Sequence, residues 1–139
     1  MGKPDKDDAD VLLKLYELRR EPELRKAREW FGREYSPEAW EKTKAVFGTG
    51  TDEDRYIRMV TSYWDMVAAF VNNGILNEDL FFQTNGENLF VWNKAKTWVS
   101  GRRAATKQPY YLWNLEKLCE RHQAYRENWG KEISRSTGT

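Results

Sequence analysis

Apolar residues recur at three- and four-residue spacing along most of the chain, and the pattern predicts six helical stretches. After a charged N-terminal run, Asp8 is placed to cap a first helix with Val11, Leu12, Leu15 and Leu18 on one face, ending near Arg20. Glu21-Pro22 turns the chain into a second helix carrying Leu24, Ala27, Trp30 and Phe31. Ser36-Pro37 repeats that start signal, so a third helix with Trp40 and Phe47 is expected to run as far as Gly48. Thr51, followed by Asp52, Glu53 and Asp54, opens a fourth helix over about residues 52–73. Its second half is apolar nearly all round, which predicts a central element surrounded by the others.

Gly74 supplies the residue that tolerates a left-handed turn after a helix. Asn77 then caps a fifth helix through Leu80, Phe81 and Phe82. Asn85-Gly86 predicts a kink or break, after which Leu89, Trp92, Ala95, Trp98 and Val99 resume the same pattern up to Gly101-Arg102-Arg103. Pro109 opens a sixth helix with Leu115, Leu118, Cys119, His122 and Tyr125, expected to end near Gly130. No stretch alternates apolar and polar residues as a strand does. The expected fold is all-α: a single compact bundle of five to six helices over residues 9–129, between flexible tails at 1–8 and 130–139.

Composition narrows the function more by exclusion than by assignment. At 139 residues there is room for one core. A net charge of +1 gives no global attraction to nucleic acid or an anionic membrane. One cysteine forms no internal disulfide and suits a reducing compartment. With no secretory h-region and no apolar run near the roughly 20 residues that span a bilayer, the expected place is the cytoplasm, without membrane insertion.

Several constellations carry possible chemistry. Asp65 stands among apolar neighbours in the fourth helix, and a buried acid needs a partner or a proton. With Arg102 and Arg103 it forms the candidate polar site, a structural partner such as Arg102, Arg103 or a tyrosine being favoured over a functional carboxylate. Cys119 and His122 share a helical face, as a thiol and its base must, but no orienting group is evident and ordinary packing is favoured. No catalytic, metal or cofactor residue is assigned.

Between Asn88 and Leu115 lie Lys94, Lys96, Arg102, Arg103 and Lys107 with no acid, interleaved with Trp92, Trp98, Tyr110, Tyr111 and Trp113. That mixture suits a nucleic-acid backbone or another anionic ligand, though a solvated basic face over core aromatics is the favoured reading. Seven Trp and seven Tyr are many for so small a core, so some rings are expected at the surface, with Trp40, Trp113 and Trp129 as interface candidates.

The positions Phe70, Gly74, Leu76, Glu78, Leu80, Trp92, Arg102, Arg103, Tyr111, Leu115 and Leu118, with the opening run Leu13 to Pro22, resemble a family of uncharacterised bacterial helical proteins, a domain of unknown function. The resemblance spans about Asp10 to His122 and implies an all-helical fold with no defined activity. Many members carry a membrane-spanning segment ahead of this region, which this sequence does not show. The leading expectation is a non-enzymatic helical module acting through contacts with itself or a partner protein. Nucleic-acid or anionic-ligand binding through Trp92 to Trp113 is the alternative, and an enzyme using Cys119 and His122 or Asp65 the remote one.

Overall fold

The computed structural model describes residues 2–138; Met1 and Thr139, the extreme ends of the two expected tails, lie outside them. The described residues form seven helices in order: α1 (Lys6–Arg19), α2 (Pro22–Arg33), α3 (Trp40–Thr43), α4 (Asp52–Asn72), α5 (Glu78–Thr84), α6 (Glu87–Thr106) and α7 (Trp113–Ser136). Among the described residues there is no strand, and the fold is all-α as expected. The count is one above the expected range, because Asn85-Gly86 divides the chain into separate helices α5 and α6.

α4 is the central element. It packs most extensively against α7 and α2 and also touches α5 and α6, while α3 lies on α6. Ten of its residues are buried, among them Ile57, Val60, Trp64, Val67, Ala68 and Val71, and this burial provides the main driving force for assembly. Its ends are set locally. The Thr51 hydroxyl accepts from the Asp54 N–H, and Gly74 takes a left-handed turn (φ 75°) while the Ile75 N–H reaches back to the Phe70 carbonyl.

Several expected boundaries are corrected. α1 begins at Lys6, because Asp5 is the cap and Asp8 completes a reciprocal capping box with it. The Ser36-Pro37 signal starts no helix: Lys94 Nζ donates to the Tyr35 carbonyl (2.7 Å) and the Thr43 hydroxyl to the Glu38 carbonyl (2.8 Å), so these two carbonyls are satisfied without one. Only the single turn Trp40–Thr43 is helical there.

Gly101 does not end α6. It lies under Trp40, where an added Cβ would stand 2.3 Å from the Trp40 Cβ, and the helix continues to Thr106 with left-handed Lys107 as its C-cap. Likewise Pro109 sits in a turn before α7, and α7 runs through Gly130 to Ser136. An exposed helical glycine costs only about 1 kcal/mol, too little to stop a run of good helix formers such as Lys131, Glu132 and Arg135.

Candidate functional site

Asp65, Arg102 and Arg103 meet where α4, α6 and the start of α7 come together, each half-buried. The last helix enters this corner without a cap of its own, because its N-cap is Leu112, which has no side-chain oxygen. Asp65 fills that role from α4: its Oδ1 accepts the Leu115 N–H at 2.9 Å. Burial pushes the Asp65 carboxyl above the ordinary range, opposed by that N–H and by the charge of Arg103.

Arg103 ties the same corner down, donating from Nε to the Tyr111 carbonyl and from Nη1 to Glu116 Oε1, both at 2.8 Å. Arg102 is held differently. Its guanidinium carbon lies 4.3 Å from the Phe47 ring centre and 4.2 Å from that of Tyr111, a cation between two aromatic faces. The three residues therefore converge, and every one of them makes an internal contact.

A groove runs over this corner, lined by Arg58, Ser62, Asp65, Met66, Arg102 and Tyr110. Its rim is a strained loop. Lys107 and Leu112, both non-glycine, take left-handed φ values of 57° and 54°. The turn buries Leu112 and leaves Tyr110 69% exposed, with Trp113 (47%) just beyond it and Met66 (38%) across the groove.

Cys119 and His122 are brought together elsewhere, in the core around Asn88. The Asn88 amide Nδ2 lies 3.1 Å from His122 Nδ1, and the Cys119 thiol donates to the Asn88 carbonyl at 3.5 Å. The imidazole stacks on Phe82 at 4.5 Å and is fully buried. Burial drives the thiol up to about 12 and, with Arg126 nearby, the imidazole down to about 4. At neutral pH the pair is a thiol and a neutral ring, with no thiolate for nucleophilic attack. Among the described residues, no three His, Cys, Asp or Glu side chains are grouped to hold a metal ion.

Of the basic residues between Asn88 and Leu115, Lys94 is also committed inward. Its ammonium donates to the Phe31 and Tyr35 carbonyls (2.7 Å each) at the end of α2, over the Phe90 ring. Lys96 and Lys107 are exposed. Of the expected interface residues, Trp113 and Trp129 are exposed, whereas Trp40 is half-buried on Gly101 and Phe47.

Sequence reasoning missed the densest polar node. Glu87 receives Arg28 through two bonds of 2.7 Å and the Trp64 indole N–H at 2.9 Å, while Arg19 stands 3.7 Å away. Burial would raise the Glu87 carboxyl, but the Arg28 bonds and charge, Trp64 and Arg19 outweigh it and hold it low. The signal available was weak: one acid in a helix's first turn, its partners more than twenty residues away in the chain.

An all-helical bundle with this corner and this node defines a compact domain whose polar groups chiefly fasten helices to one another. The chain belongs to the family described as domain of unknown function DUF4760, whose model matches residues 6–122. No curated protein and no solved structure matches it.

Proposed function

We propose that this chain is a non-enzymatic helical module that acts through protein contacts, with itself or a partner, and that the corner of Met66, Tyr110 and Trp113 is its contact face. The observation that carries the reading is the strained turn through Lys107 and Leu112, which holds two aromatic side chains outward beside a groove. Exposed, rigidly held aromatics are the commonest anchors of protein interfaces, because they bury large areas at little entropic cost. The neutral, enclosed Cys119 and His122 support the non-catalytic part, and the inward commitment of Lys94, Arg102 and Arg103 makes nucleic acid the less supported ligand. Bacterial origin and cytoplasmic residence belong to the same proposal. Among the described residues, no helix is long and apolar enough to cross a membrane.

A photo-crosslinking residue placed at Tyr110 in the full chain, with a second placed at exposed Lys14, tests the proposal. The expected result is a discrete adduct, with itself or one partner, from position 110 alone, lost when Met66 and Trp113 are changed to Glu. Equal, diffuse labelling from both positions would remove Tyr110 as an anchor.

A further inference from the structure

On the opposite face of α4 from the corner groove, a small, partly open pocket lies between α1, α4 and α5, with a cavity volume of about 130 Å³. Its walls are Leu12, Leu15 and Tyr16 from α1, Trp64 and Val67 from α4, and Phe81 from α5. Arg19 also lines it, and the chemistry of that residue is unusual. Both Glu87 oxygens are taken at full strength by Arg28 and Trp64. Arg19 is left with a 3.7 Å approach to Glu87 and a 3.5 Å contact from Nη1 to Asn85 Oδ1. Its buried Nε has no hydrogen-bond partner among the described residues.

The guanidinium rests instead over the rings of Tyr16 (5.5 Å) and Trp64 (5.3 Å), with its side chain only 19% exposed. Two guanidiniums thus share one carboxylate, and the node carries one positive charge in excess. A guanidinium largely removed from water, short of hydrogen bonds and set beside an apolar cavity, is matched by one carboxylate attached to hydrocarbon. A cavity of this size takes about one ring or a chain of five to six carbons.

We infer that this pocket binds a small apolar monocarboxylic acid, its carboxylate on Arg19 and its hydrocarbon tail between α1, Trp64 and Phe81. The site is independent of the protein-binding face, since Tyr63, Trp64 and Val67 point the other way around α4 from Ser62, Asp65 and Met66.

Hexanoate, 1-hexanol and propionate, titrated into the full chain and followed by the Trp64 indole N–H resonance, separate the two halves of the recognition. Hexanoate is expected to bind with a Kd of about 1 mM, as its few heavy atoms allow, while hexanol lacks the charge and propionate the tail, each weakening binding by about tenfold or more. Arg19→Gln should weaken hexanoate by at least about tenfold and leave hexanol unchanged. Because Arg19 also helps dock α1, Leu12→Phe serves as a second variant that fills the cavity and keeps the cation; it should abolish hexanoate binding in a folded protein. Absence of hexanoate binding at about ten times the expected Kd, or binding undiminished in Leu12→Phe, overturns the inference. Equal affinity for hexanoate and hexanol would also overturn it, by showing that Arg19 recognises nothing.

Discussion

Asp65 shows how an apparently functional acid can be a structural part. A carboxylate accepting one N–H of an uncapped helix stabilises it as an N-cap residue does, by about 1 kcal/mol. Its raised pKa means the folded state binds a proton more readily than the unfolded chain, so its charge opposes folding at neutral pH and the opposition fades as pH falls. Asp65→Ala should therefore cost about 1 kcal/mol in urea unfolding. Asp65→Asn, which keeps the acceptor and removes the charge, should be neutral or stabilising. Loss in both variants would mean that the charge itself is needed.

His122 gives the opposite pH signature. Its folded pKa of about 4 lies below its ordinary 6.5, so the unfolded chain takes up the proton first. The stability contributed by the neutral ring is complete above pH 6.5 and falls by up to about 3 kcal/mol as pH drops from 6.5 to 4. In His122→Phe this loss should disappear, leaving only the carboxylate contributions: that of Glu87, lost as pH falls below its ordinary 4.5, and the opposite one of Asp65. The buried Cys119 thiol, high in pKa, should react with an aromatic disulfide reagent only at the rate of global unfolding.

At the level of elements, the contrast between local and remote caps explains what could be read in advance. Thr51 and Asn77 cap their own helices three residues on, so residue type and spacing were sufficient. The start of α7 could not be placed that way, because its cap comes from Asp65, fifty residues earlier. Lys94 at the end of α2 and Asp8 on the Asn77 N–H are of the same kind. For the site, Asp65, Arg102 and Arg103 were legible as polar exceptions in an apolar setting, whereas Glu87 was not, since a first-turn acid is ordinary and its partners are revealed only by packing.

The two misread glycines test the same distinction. Gly101→Ala should destabilise by about 1–3 kcal/mol, because the new methyl meets the backbone-anchored Cβ of Trp40 and α3 has to move. Gly130 has open space around it, so Gly130→Ala should raise helicity in far-ultraviolet circular dichroism. Its unfolding midpoint should scarcely change, since the exposed end of α7 opens locally before the body does.

For the whole molecule, the Glu87 node matters most, because it joins α1, α2, α4 and α6 at one carboxylate. Removing one member of a fully buried pair costs about 3–5 kcal/mol; Glu87 is a quarter exposed, so Glu87→Gln should cost nearer 2. Double-mutant cycles with Arg28→Met measure the coupling directly, and an energy near zero would reduce the node to surface decoration.

The same architecture has a consequence during synthesis. α4 finds its largest neighbour in α7, the last of these seven helices to be made, and α7's first turn is in turn completed by α4. A chain that has emerged only to Tyr111 holds a helix whose second half is apolar nearly all round, with its main cover still inside the ribosome. Nascent chains stalled there should be sticky and susceptible to protease, and should become compact and resistant once the segment to Tyr125 has cleared the exit.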